Sequence, residues 1–266
     1  MTRPWSIGGV AVVLLAATLA PAAERMTDEQ VKKLIEDIDD GYKSWKQDLE
    51  KNNLDDAVIT SADRTIKVKD FLKDFDKSIE TLKDRFKPEY AASPEALNLL
   101  RRGSDVELRN RRQGTPGSSA WTALGSKLTA LGQAYGVGFP ALSMQALPAR
   151  LNDRELSAKV QRMENATKAL RSDSDKAAKA NKAIDKATRE SLKGSLQQME
   201  QMAKEVRTRI EGDRPGAVEV GQLLGQAASV RDTQKKLALS SAGAPAWQQI
   251  DATAEALSRA YDLKRP

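Results

Sequence analysis

Most of the chain is patterned with apolar residues three and four positions apart. Val31, Leu34, Ile35, Ile38, Tyr42, Trp45 and Leu49 form one stripe. Val68, Leu72, Phe75, Ile79, Leu82 and Phe86 form a second. Residues at this spacing share one face of an α-helix, so each stripe predicts an amphipathic helix that buries that face against a neighbour. Local signals bound the helices. Thr27-x-x-Gln30 is a capping box in front of the first stripe, Pro88 stops the second, and Ser93-Pro94 opens a third helix that should run to about Arg112. Gly114, Pro116 and Gly117 break the chain. Trp121, Leu124, Leu128, Leu131 and Tyr135 then predict a fourth helix, ended by Gly136 and Gly138.

The pattern returns. Trp121, Leu124, Leu128, Leu131, Ala134 and Tyr135 recur 126 residues later as Trp247, Ile250, Ala254, Leu257, Ala260 and Tyr261. A shift of 124 places the second stripe on Leu192, Leu196, Met199, Ala203, Val206 and Ile210, and puts Leu99, Leu100 and Val106 on Leu223, Leu224 and Val230. A shift of 125 places Val31, Ile35, Ile38 and Trp45 on Leu156, Val160, Met163 and Leu170. Four helices in one order at a near-constant offset predict an all-α fold: an internally duplicated antiparallel bundle with about four helices per half. The first repeat is expected over residues 23–138, a linker over 139–151 and the second repeat over 152–266. Two tandem bundles are favoured over one continuous eight-helix assembly. The halves differ in filling. Large aromatics crowd the first, whereas residues 171–191 are nearly devoid of large apolar side chains and are expected to form an exposed helical extension or a loose connection. The first half is expected to be the more stable.

Residues 1–22 break the helical pattern. Arg3 precedes an apolar, uncharged run from Ile7, and Ala20-Pro21-Ala22 supplies small residues at a cleavage site. This order reads as a cleavable secretory signal. The run falls short of the ~20 residues that span a bilayer comfortably, which disfavours the alternative of an uncleaved anchor. No Cys is present to carry a lipid. The expected destination is the periplasm first and secretion second, with no transmembrane span in the mature chain.

Composition narrows the chemistry. There are 43 Lys and Arg against 37 Asp and Glu, and removing Arg3 with the signal takes the formal charge from +6 to +5. This mild basic excess and the 5% aromatic content give no footprint for nucleic acid, and none is expected as a partner. The chain has neither Cys nor His. Their absence removes disulfides, the commonest general base and transition-metal ligand, and the His that haem and Glu-x-x-His di-iron sites require. No G-x-S-x-G elbow, S-x-x-K pair or phosphate-binding glycine loop occurs. No catalytic residue, cofactor or metal is therefore expected. Gly132, Gly136 and Gly138 read as a helix stop. Glu36, Asp37, Asp39 and Asp40 read as a solvated helix face, since an ion loop would need a turn. The Trp and Tyr stripes read as core, and Asn165-Ala166-Thr167 as an incidental glycosylation sequon.

The remaining candidate is basic. Arg101, Arg102, Arg109, Arg111 and Arg112 lie within twelve residues of the third helix, where guanidinium groups suit bidentate contact with phosphate or carboxylate. Asp105 and Glu107 stand at helical spacing to offset part of that charge. Two functions follow as expectations. The first is an exported, non-enzymatic scaffold, adaptor or chaperone-like module with a protein partner. The second is a binder of an anionic ligand, polymer or membrane surface through the arginine face.

Overall fold

A computed structural model describes residues 24–60, 65–113, 118–140 and 150–264. The signal-like residues 1–22 and most of the expected linker lie outside the described residues. The described residues are all-α apart from one short β-ribbon. Its helices are α1 (Asp28–Lys51), α2 (Val68–Arg85), α3 (Ser93–Gln113), α4 (Ser119–Ala134), α5 (Asp153–Ala180), α6 (Lys186–Glu211), α7 (Ala217–Lys236) and α8 (Ala244–Ala260). The ribbon joins α1 to α2. Strand β1 (Val58–Thr60) pairs antiparallel with β2 (Thr65–Lys67), with Ile59 opposite Ile66. Helical spacing carries no sign of this ribbon.

The sequence stripes become the buried faces. Val31, Ile35, Ile38, Tyr42, Leu72, Phe75, Ile79, Leu82, Trp121, Leu124, Leu128, Leu131 and Tyr135 join one cluster drawn from α1 to α4. Leu156, Val160, Met163, Leu170, Leu196, Met199, Val206, Leu223, Trp247, Ile250, Leu257 and Tyr261 join a second, drawn from α5 to α8. Among the described residues, no buried residue belongs to both clusters. In the first, α1 packs against α2 and α4, while α3 bridges α2 and α4. In the second, α5 packs against α6 and α8, and α7 packs against α6 and α8. The closed order of neighbours is the same.

Helix ends follow local chemistry. Thr27 and Asn152 each close a full capping box, with Gln30 and Glu155 as the returning side chains. Gly136 adopts φ +71° beyond α4, the left-handed stop expected of a glycine there. Residues 171–191 are mostly helical: α5 continues to Ala180, and Asp185 caps α6 through the Thr188 amide. Small buried residues, Ser174 and Ala178, let the two helices approach there, and Ile184 closes the end.

Polar contacts between helices also recur at the sequence offsets. Asp39 of α1 takes Lys43 at 3.1 Å and Lys83 of α2 at 3.2 Å. Glu164 of α5 takes Lys168 at 2.7 Å and Arg207 of α6 at 3.5 Å. Arg85 meets Glu95 at 3.3 Å, and Arg209 meets Glu219 at 2.7 Å. Burial works against ionisation of Asp39, but the hydrogen bonds from Lys43 and Lys83 prevail and hold its carboxyl below the usual range. The hydrogen bond from Lys168 does the same for Glu164.

Candidate functional site

The most organised polar constellation lies where the N-termini of α1 and α5 meet. Asp28 is the first residue of α1 and Asp153 the first of α5. Each carboxylate closes the opposite helix. The Asp28 amide donates to Asp153 Oδ2 at 2.6 Å, and the Asp153 amide donates to Asp28 Oδ2 at 2.7 Å. Two helix N-termini facing each other bring together unpaired N–H groups and two positive dipole ends. Two carboxylates satisfy both.

Two arginines complete the arrangement. Arg25, just before α1, reaches into the second half: its guanidinium donates to Asp153 Oδ1 and, at 2.7 Å, to the Leu151 carbonyl. Arg150, just before α5, reaches into the first: its Nη2 donates to Asp28 Oδ1 at 2.9 Å and to the Met26 carbonyl at 2.7 Å. Arg25 and Arg150 correspond at the 125-residue offset, as do Met26 and Leu151. These contacts are therefore reciprocal. The arginine side chains are 6% and 4% exposed and the carboxylates 17% and 16%, so solvent screens these pairs far less than ordinary surface pairs.

Surrounding groups hold the arms. The Arg150 amide donates to Ser93 Oγ at 3.1 Å, its Nη1 donates to the Ala134 carbonyl at 3.2 Å, and its guanidinium lies over the Tyr135 ring at 6.0 Å. Tyr135 is fixed in turn by its hydroxyl, which donates to the Ala91 carbonyl at 2.5 Å. Burial, with Arg25 close by, lowers the pKa of Arg150 from its usual value. In the other half, Glu24 accepts the Gly216 amide at 2.7 Å, at the start of α7. Asp213 sits at the rim. Burial and then the carboxylates of Asp153, Glu29 and Asp28 raise its pKa, although Thr27 donates a hydrogen bond to it. The arrangement is a clasp: it orients two helical units, and its polar atoms face one another.

The arginine face predicted on α3 is differently placed. Arg101, Arg102 and Arg109 are partly exposed along α3. Arg102 pairs with Asp74 of α2 at 3.3 Å, and Arg101 is also engaged. Glu107 accepts the Trp121 indole N–H at 3.0 Å. Arg111 and Arg112 belong to α3, but their side chains lie outside the described residues. The structure thus gathers Arg102 into a cross-helix contact with α2. Trp121 and Tyr135 are 2% exposed and belong to the core. Thr167 of the sequon is buried in mid-helix, where its hydroxyl donates to the Met163 carbonyl. Asp39 serves the cross-helix pairs already described, and among the described residues no group of acidic side chains is arranged to hold a metal ion. A cleft between α5 and α6, beside Ser174 and Arg189, encloses about 10 Å³, room for one water molecule.

No known protein family, curated protein or solved structure matches the chain.

Sequence reading missed the clasp. Its signal was nonetheless present: the 125-residue shift, carried six residues ahead of Val31, lays Arg25-Met26-Thr27-Asp28 on Arg150-Leu151-Asn152-Asp153.

Proposed function

We propose that this chain is an exported, non-enzymatic protein-interaction scaffold: two copies of one four-helix unit, presented to a partner in an orientation fixed by the clasp. The periplasm is its proposed compartment, on the strength of the signal-like residues 1–22. Duplication is supported by recurrences that helix-forming composition does not require. The capping boxes, the Asp39 and Glu164 ion pairs, the Arg85–Glu95 and Arg209–Glu219 pairs and the clasp itself all repeat at offsets of 124 or 125.

The observation that carries the scaffold reading is the reciprocity of Arg25–Asp153 and Arg150–Asp28. A buried ion pair is a poor source of stability compared with an apolar contact of the same size, but it fixes geometry strongly. Two such pairs at one joint define how one bundle faces the other.

Affinity capture from the cell envelope tests the proposal, using the full chain and an Arg150→Ala variant with unchanged helix content by circular dichroism. A scaffold whose orientation matters retains its protein partner in wild type at high salt and loses it in Arg150→Ala. Capture abolished by salt, and by neutralising Arg102 and Arg109, would replace this reading with the anionic-ligand one.

A further inference from the structure

We infer that the clasp is a self-complementary interface through which two copies of this chain exchange halves. The inference stands on the geometry of the clasp and not on the scaffold reading. An interface is isologous when residue i of one side meets residue j of the other and j meets i. The arginine arms and the helix-start amides of the clasp meet that condition. Arg25 holds Asp153 and the Leu151 carbonyl; Arg150 holds Asp28 and the Met26 carbonyl. The amides of Asp28 and Asp153 exchange carboxylate oxygens. None of these contacts depends on the two halves belonging to one chain. When the first half of one copy clasps the second half of another, and the reverse, both clasps keep every contact of the monomer.

Two features select a second copy as the occupant. First, an opened clasp exposes a carboxylate and an amide at a helix start, beside an arginine arm that needs a carboxylate and a carbonyl at fixed positions. The surface that supplies all four is another half of this chain. Second, among the described residues the two buried clusters share no member, so the halves can part at the clasp with each helical core intact. A small polar joint between units with separate cores is where domain motion is expected, and exchange of equivalent units is a low-cost route to a dimer.

The test is complementation in the full chain. Arg25→Asp sets a second carboxylate against Asp153 in cis. Asp153→Arg sets a second guanidinium against Arg25. In an exchanged dimer built from one of each, the introduced carboxylate meets the introduced guanidinium, and the native Arg25 of one variant meets the native Asp153 of the other. The two variants, carrying different tags, are mixed in equal amounts, unfolded in urea and returned to buffer by dilution. Light scattering and two-step tag purification should then find a 1:1 mixed dimer of twice the chain mass, scarce in either variant alone. Two differently tagged wild-type preparations, taken through the same cycle, give a second measurement that needs no substitution to fold. They should yield mixed-tag dimer in lower amount, because their monomers already close the clasp. Monomers alone from both mixtures would overturn the inference, as would dimer forming equally well from Arg25→Asp by itself.

Discussion

Arg25 and Arg150 each insert a nearly buried guanidinium into the half of the molecule that the other one precedes, and each finds there a carboxylate at the first position of a helix. The exchange explains why two helices can begin head to head. Their facing N-termini would otherwise leave amides unsatisfied and like dipole ends opposed. Asp28 and Asp153 answer the amides, and the arginines then balance the carboxylates. Each charge at the joint is thus the reason that another is tolerated.

Removing one arm should therefore cost more than a surface pair. Arg150→Ala removes the nearer of the two cations of Asp28, leaving only Arg25 at 3.9 Å, and strips donors from the Met26 and Ala134 carbonyls. Breaking a largely buried pair from one side typically destabilises by about 3 kcal/mol or more, because the remaining charge stays desolvated. Urea unfolding should show a loss of that size. Arg154→Ala, which removes an exposed partner of Glu89, should change stability by less than about 1 kcal/mol. Equal effects for the two variants would contradict the buried role of Arg150.

Asp213 offers the opposite sign. Its pKa is raised by burial and by the neighbouring carboxylates of Asp153, Glu29 and Asp28. A carboxyl whose folded value lies above its unfolded one favours the fold while protonated and opposes it once ionised. Asp213→Asn should therefore stabilise the protein at neutral pH, modestly, since residue 213 is exposed. Asn also suits the backbone, because Asp213 has φ +49° and Asn tolerates that region. The gain should disappear in acid, below the unfolded carboxylate range. Thermal melts at neutral and acid pH measure the difference, and a variant less stable than wild type at neutral pH would contradict it.

What was legible in the sequence followed from periodicity. Buried faces repeat every 3.6 residues, so the stripes of Val31 to Trp45 and Trp121 to Tyr135 announced their helices and their core positions alike. Periodicity is silent where few residues act. The ribbon pairing Ile59 with Ile66 is three residues per strand, too short for alternation to stand out. Arg25 and Arg150 lie outside any stripe, in a lead-in and at the end of a linker, so helical patterning gave them no weight. The five arginines of α3 were conspicuous because they were close in sequence. Closeness along a helix distributes side chains around it, whereas the clasp assembles residues more than a hundred positions apart.

Acid should weaken the α5–α6 pairing in a predictable window. The Lys168 hydrogen bond, opposed by burial, holds the Glu164 carboxyl below the usual range, and Arg207 adds to the effect. A depressed folded pKa gives stability that is present above the unfolded value, about 4.3 for Glu, and lost as pH falls through the folded one. Glu164→Gln should lower stability at neutral pH and flatten its decline between about pH 5 and pH 2. Parallel denaturation curves across that range, with the decline unchanged, would show that Glu164 does not carry it.

Trp121 measures the first core. It is 2% exposed, lies 4.8 Å from Trp45 between ring centroids, and donates its indole N–H to Glu107. Trp121→Ala should destabilise by about 3–5 kcal/mol, as large-to-small changes at buried aromatics do. A near-zero change in unfolding free energy would place the ring outside the core.

The two cores should also differ in local stability, because equivalent layers hold different volumes. Tyr42 stacks on Phe75 at 5.5 Å, and Trp45 meets both Phe75 and Trp121. The corresponding positions of the second core hold Thr167, Met199 and Leu170, with Trp247 in place of Trp121. Aromatic side chains bury more apolar surface and add favourable ring contacts, so the first core gains more per layer. The second compensates with polar links: Trp247 donates to Gln234 at 2.7 Å, and Gln234 donates to Ser174 at 2.6 Å. Such links contribute less net stability than the aromatic burial they replace. Native-state hydrogen exchange on the full chain should accordingly find its slowest amides in residues 35–45 and faster ones in residues 170–178 and 192–199. The reverse order of protection would mean that the longer α5 and α6 helices outweigh the aromatic layers of the first half.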